Sequence, residues 1–293
     1  MKAGFESFFC PLKWSVASAV NNEEILKRCL LSSPEVCQAS AVMLQKGYAS
    51  AAVAYNAALE TADTDIVVFA HQDMFLPQGW LAQLQEALTW LSKMDPHWGV
   101  LGVWGVKRSG EFAGHIYCAG LKMVGGAPFL GCVEVRSLDE VILIVRRSSG
   151  LRFDEALQDF HMYGTDICLE AAQRGLNCYV MSAFCIHNTT PRAWLPWSFW
   201  KACLVLRRKW KRQLPIRTPC TEVTRYGWPI LRWNLARAIN LFTGRDPQPA
   251  RGAIDPVLLH RELAASGKIL GAAYGRAVQP TFKRSGRNAD PYQ

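Results

Sequence analysis

The ten cysteines include no CxxC pair, so the spacing that a zinc ribbon needs is missing. They are scattered along 293 residues, and Cys37, Cys118, Cys178 and Cys185 sit in apolar runs. Buried free thiols in a reducing compartment are therefore expected, not a disulfide scaffold. No apolar run reaches the roughly 18 residues that would span a bilayer. Residues 1–13 lack the basic segment, apolar stretch and small-residue cleavage site of a secretory signal, which points to a cytoplasmic setting, with the inner face of the membrane as an alternative. Internal repeats and low-complexity stretches are absent too. Acidic residues are scarce in one region only. Residues 192–293 hold 19 Lys and Arg against 5 Asp and Glu, whereas residues 1–191 hold 14 against 19. The basicity therefore belongs to the C-terminal third, which reads as a region drawn to something anionic.

With 50% hydrophobic and 19% charged residues, the chain has the composition of a folded protein. Its first two-thirds alternate strand and helix signals. Trp14–Val20 reads as a strand, Asn21 or Asn22 as the cap of a helix closed by Pro34, and residues 35–43 as a second strand. Ser50 caps a small-residue helix over 51–62. Asp65 to Ala70 is the continuous apolar run of a strand covered on both faces. Pro77 opens an amphipathic helix to about Lys93, and single strands follow over 99–106, 141–145 and 177–186. Between the last two, a helix runs to Arg174 and Gly175 ends it. This order predicts an open, mostly parallel α/β sheet with helices on both faces.

In such sheets ligands gather beyond the carboxyl ends of the strands. His71 and Asp73 follow one strand and His187 follows another. A divalent cation on a diphosphate wants a carboxylate and one or two further ligands, with positions left for phosphate oxygens. Asp73 with His187 would supply that set. His71 would join it or hydrogen-bond a phosphate.

The run Ala54-Tyr-Asn-Ala-Ala-Leu59, then Asp65 to His71-Gln72-Asp73, then Trp80-Leu81, resembles glycosyltransferase family 2. The chain most resembles the branch related to streptomycin-biosynthesis glycosyltransferases, in which His-Gln-Asp stands for the usual Asp-x-Asp. Phe153-Asp-Glu155, His161-x-Tyr163-Gly-Thr-Asp166-Ile-Cys-Leu169, Gly175 and His187 agree, over about residues 14–191. The resemblance implies a GT-A fold, an open mixed sheet flanked by helices. It implies a transferase moving a sugar from a nucleotide-diphosphate sugar to a carbohydrate or glycoconjugate acceptor, lipid-linked ones included. It also implies a Mn2+ or Mg2+ ion on Asp73, His187 and His71. Val20, Asn21, Asn22, Glu23, His71, Gln72 and Asp73 would then bind the donor, and His161 and Tyr163 would lie on the acceptor side. Inverting transfer needs a carboxylate to deprotonate the acceptor hydroxyl. Many relatives carry it in a Glu-Asp pair where this chain has Tyr163-Gly164. Asp166 is then the nearest candidate base, with Asp139, Glu140 and Asp159 in reserve, and the plain alternative for Asp166 is a helix-terminal carboxylate.

Residues 192–293 read as a basic, Trp-rich helical extension, loose from about Thr281. Trp194, Trp197, Trp200 and Trp210, interleaved with Arg207-Arg208-Lys209, fit three readings. The segment 194–212 could lie on anionic lipid, stack on nucleic acid, or cover the catalytic core with its cations snorkelling. Nucleic acid is the least expected of these partners. Two rival functions stand beside the transferase: a nucleotidyltransferase, which would want a Gly-rich phosphate loop after the first strand, and a non-catalytic binder of anionic surfaces.

Overall fold

The computed structural model describes residues 12–189, 196–226, 228–244 and 254–269. Trp194 and the segment from Thr281 lie outside them. In chain order the elements are β1 (Trp14–Val20), α1 (Glu23–Arg28), β2 (Ala41–Lys46), α2 (Ala51–Thr61), β3 (Ile66–Ala70), β4 (Met74–Phe75), α3 (Trp80–Met94), β5 (Val100–Gly102), β6 (Trp104–Val106), β7 (Phe112–Cys118), β8 (Met123–Gly126), β9 (Cys132–Val135), β10 (Ser137–Leu138) and β11 (Ile142–Arg146). There follow α4 (Tyr163–Gln173), β12 (Cys178–Met181), β13 (Cys185–His187), α5 (Trp197–Lys209), β14 (Ile216–Arg217), β15 (Glu222–Val223), α6 (Trp228–Phe242) and α7 (Pro256–Ala265).

The main sheet runs β2-β1-β3-β11-β5-β12-β9. Its first three strands are parallel, but β11 is antiparallel to both β3 and β5 and β9 is antiparallel to β12. The sheet is thus mixed, as the resemblance implies, and not mostly parallel. The reason is that β11 is reached through short strands and not through a crossover helix, so nothing returns the chain to the same end of the sheet. All five residues of β3 are buried, as its continuous apolar run predicts. Asn22 caps α1 by accepting from the Ile25 N–H, and Ser50 caps α2 by accepting from the Val53 N–H.

Two single strands expected from sequence are each divided. The 99–106 run breaks at Val103, so that β5 stays in the main sheet while β6 joins a second sheet, β10-β6-β7-β13-β4 with β8 on β7. The 177–186 run breaks likewise into β12 and β13. The crossing at Val103 is tight. Gly114 on β7 has φ +141°, and a Cβ there would collide with the Val103 carbonyl, so only glycine fits.

Residues 35–43 are not a strand either. Val36–Gln38 is a short 3-10 turn, and β2 begins at Ala41. Glu35 is needed elsewhere. Its carboxylate accepts from the Gly79 N–H at 2.8 Å and the Leu81 N–H at 2.6 Å, capping α3 where Gly79 has no side chain to do so. Cys37 consequently lies exposed, whereas Cys178 and Cys185 are buried and Cys118 is partly buried. The nine cysteines among the described residues are free thiols.

Of the three readings of segment 194–212, covering the core is the one that a buried face of its described residues supports. Phe199, Ala202, Cys203 and Leu206 of α5, with Trp210 after it, are buried in the same core cluster as α2, α4 and β3. Trp197 and Leu204 remain exposed at 69% and 36%. A polar anchor reinforces that packing. Lys209 Nζ meets Asp154, Asp166 and Glu170 at 2.6, 2.8 and 2.8 Å, and Trp210 Nε1 donates to Asp166 Oδ1 at 2.6 Å. Among the described residues no helix is long and apolar enough to cross a membrane.

Candidate active site

The chain turns sharply after β3, and the turn is pinned on three sides. The His71 N–H donates to the Val141 carbonyl, the Met74 N–H to the His71 carbonyl, and the Asn188 N–H to the Asp73 carbonyl. β4 then pairs antiparallel with β13, opposite His187. This pairing carries Asp73 to the end of β13, and the ligand-capable atoms of His71, Asp73 and His187 lie within 4.8 Å of one another. The three residues expected as metal ligands are therefore brought together.

Their electrostatics are coupled. Burial alone would raise the Asp73 carboxyl, but the charge and hydrogen bond of His187 and the nearby His71 hold it well below the usual range. Burial works against charging His187, yet Asp73, with Oδ2 3.4 Å from Nε2, and the Cys118 thiol raise its pKa well above normal. Burial, reinforced by His187, depresses His71, which stays neutral and able to ligate. His71 is also oriented. Its Nε2 lies 2.8 Å from the Tyr163 hydroxyl, which donates its single proton to the Glu140 carbonyl at 3.3 Å. The tautomer that carries Nε2–H toward Tyr163 would leave the Nδ1 lone pair for a cation. Tyr163 is itself buried among Tyr55, Phe69 and Phe153, so it sits behind His71 and not on an open acceptor face.

The expected donor residues form the neighbouring rim. Gln72 Oε1 accepts from the N–H groups of Asn21 and Asn22 at 3.1 and 3.0 Å, and Gln72 Nε2 donates to Asn21 Oδ1 at 2.5 Å. Gln72 thereby ties the end of β1, at Val20, to the turn after β3. Glu23 pairs with Lys46 at the end of β2, 2.6 Å away on the surface.

On the other side of His187 lies a cleft walled by Trp104, Cys118, Leu121, Met123, Asp139 and His187. Trp104 stacks on Phe112 at 5.5 Å and 13°. Of the four expected base candidates only Asp139 lines this cleft. Glu140 turns toward α4, where Oε1 accepts from the Gly164 N–H at 3.4 Å, and burial, then the charge of Asp139, push its carboxyl up to about 8. A side chain at Gly164 would meet the Leu138 carbonyl at 2.7 Å, so no carboxylate can stand there. Asp166 is fully buried, with both oxygens held by Lys209 and Trp210, and does not reach the cleft. Asp159 belongs to the loop that bridges to Ser50. The ring of His161 packs edge-on against Phe199 at 5.5 Å, beside α5. Sequence reasoning did not single out Trp104 or Cys118 for the site, and their only signal is their place beside or among the glycines of residues 110–131.

The family profile described as "Glycosyltransferase like family" matches residues 15–199. The chain belongs to that glycosyltransferase-like family. Its match begins at β1 and ends inside α5, so it takes in every residue of the site. Among relatives, the Fuscovulum blasticum protein named ATP synthase subunits region ORF 6 is 29% identical over 159 residues, 52% of this chain and 61% of its own length. The match thus spans less than two-thirds of that relative. Among solved structures, this glycosyltransferase-like chain is similar to the mannosyltransferase PcManGT of Pyrobaculum calidifontis in complex with GDP-Man and Mn2+. The identity is 16%, coverage is 89% of this chain and 81% of that one, and the TM-score is 0.41. It is also similar to S. aureus TarS 1-349 in complex with UDP, at 15% identity, 68% and 65% coverage and a TM-score of 0.44. At these scores the likeness carries no weight on ligand or reaction.

Proposed function

We propose that this protein moves a sugar from a nucleotide-diphosphate donor to a hydroxyl of a carbohydrate or glycoconjugate acceptor, with inversion. We place it with the streptomycin-biosynthesis-type branch that His71-Gln72-Asp73 resembles. The convergence of His71, Asp73 and His187 beyond the strand ends carries the reading. One carboxylate and two imidazoles fit a divalent cation with open positions, and two imidazoles suit manganese or another transition ion better than magnesium, which demands oxygen ligands. Such a cation, when bound, neutralises the diphosphate and eases its departure.

The chain's own residues do the rest. Asn21 and Asn22, held by Gln72, offer the rim against which the nucleoside rests. Trp104 offers a flat apolar face to an acceptor sugar. Asp139, on the cleft wall beside His187, takes the proton of the attacking hydroxyl, and Asp166 serves the architecture. Calorimetry with UDP or GDP, with and without Mn2+, tests the core of this. Binding should require the cation, and Asp73→Ala should lose the metal-dependent part while unfolding at a similar temperature. Equal nucleotide affinity in that variant would sink the proposal.

A further inference from the structure

α6 presents an apolar stripe that the described fold does not cover. Trp228, Leu231, Leu235, Ile239 and Phe242 are 65%, 53%, 60%, 53% and 97% exposed. At 3.6 residues per turn they fall within about 80° of arc, one face of the helix. Five large apolar side chains aligned in water are a binding surface, not scattered exposure. Tyr226, 83% exposed, adds an aromatic ring at the same end as Trp228.

Charge selects the occupant. Between Glu222 and Asp246 the sequence has Arg225, Arg232, Arg237 and Arg245 and no carboxylate. Arg225 and Arg232 are exposed, and Arg232 borders the stripe. Pairing of two copies through this face would bring together two arginine-bearing surfaces with no carboxylate on this stretch to offset them, which opposes a dimer. An anionic surface meets both features at once. Tyr and Trp favour the headgroup level, and arginines pair with lipid phosphate while the stripe enters the acyl boundary. The helix is about 22 Å long at 1.5 Å per residue, too short to span a hydrocarbon core of about 30 Å. It can only lie in the plane.

We propose that α6, and not the segment 194–212, docks this protein on an anionic lipid membrane. The proposal rests on α6 alone and stands or falls apart from the donor chemistry. The test uses the full chain with phosphatidylcholine vesicles, and with the same vesicles containing phosphatidylglycerol, at low and high salt. The parent should sediment with the anionic vesicles and be released in part by salt. Leu231→Gln with Leu235→Gln keeps helix propensity, removes the centre of the stripe, and should weaken binding at least about tenfold, since two large apolar side chains no longer enter the acyl boundary. Trp197→Gln on α5 should bind like the parent. Ile239→Gln alone gives the same reading should the double variant not fold. No sedimentation at low salt, or undiminished binding by the folded stripe variants, overturns the proposal. So does a dimer in light scattering that those variants dissociate.

Discussion

Asp139 and Glu140 follow β10 into a turn, where the Val141 N–H donates to Asp139 Oδ1 at 3.1 Å, and their side chains go to different places. Asp139 faces the cleft beside His187, and Glu140 enters the crowded gap before α4. Their expected phenotypes differ accordingly. Asp139→Asn keeps the size of the side chain and removes the base, so transfer should fall by about 10²- to 10⁴-fold while nucleotide still binds with metal. A transfer rate within a few-fold of the parent would return the role to another group. Glu140 makes a prediction about pH. Its native carboxyl, at about 8, lies above the 4.5 of an unperturbed glutamate, so the folded state holds the proton more tightly. Stability from this group is full below pH 4.5 and is lost as pH rises toward 8, with a slope of at most about 1.4 kcal/mol per pH unit. Glu140→Gln keeps a neutral side chain at every pH. Thermal unfolding of the metal-free protein between pH 5 and 8 should therefore decline less in the variant, and parallel curves would refute the assignment. The two carboxylates were both visible in the sequence as reserve bases. Which one faces the cleft was not, because that depends on α4 lying against β10, where Gly164 meets the Leu138 carbonyl.

α5 shows how an element can be read correctly while the partners that hold it stay hidden. The helix was legible from Trp197 to Trp210, and its cations and tryptophans were legible too. Their partners lie far away in sequence: Lys209 is 43 residues from Asp166 and 55 from Asp154. No local pattern announces such a contact, so the sequence offers Asp166 as a base or a helix-terminal carboxylate and does not show it as the buried partner of the next helix. The ion cluster makes a stability prediction. Asp166→Asn leaves Lys209 two other carboxylates and leaves Trp210 an acceptor, so the fold should survive. Losing one charged hydrogen bond from a buried site should cost roughly 1–3 kcal/mol. Chemical denaturation measures this, and metal-dependent nucleotide binding in the folded variant should match the parent. An unchanged midpoint would mean that the cluster contributes nothing, and lost transfer in a well-folded variant would restore Asp166 to the reaction.

At the scale of the molecule, the convergence of His71, Asp73 and His187 followed from strand ends that the sequence displays. The division of the 99–106 and 177–186 runs did not, because a continuous apolar stretch has no periodicity to separate two short buried strands from one long one. The composition also shifts after residue 191, and described residues beyond that point pack on those before it. Phe199, Leu206 and Trp210 lie in one cluster with Tyr55, Phe69 and Leu169. Farther on, Leu259 and Leu263 of α7 pack on Phe75, Tyr117, Phe184 and Ile186, the outer face of β4, β7 and β13. The strand pair that brings Asp73 to His187 thus has α7 behind it, and the Asn188 side chain donates to the Ile254 carbonyl at 2.7 Å beside it. A chain ending at 191 would bare both clusters and leave Asp166 buried opposite no cation. Each large buried side chain stabilises by about 1.5–3 kcal/mol, so five removed together cost about 7.5–15 kcal/mol, comparable to the roughly 5–15 kcal/mol by which a domain is stable. The fragment 1–191 should therefore aggregate or unfold without cooperativity in gel filtration and calorimetry. Ending the chain at 244 keeps α5 and should leave a cooperative transition at lower temperature, with weakened metal-dependent nucleotide binding because β4 and β13 lose their backing. A soluble 1–191 fragment that unfolds sharply and binds nucleotide with Mn2+ would show that the catalytic core ends where the composition changes.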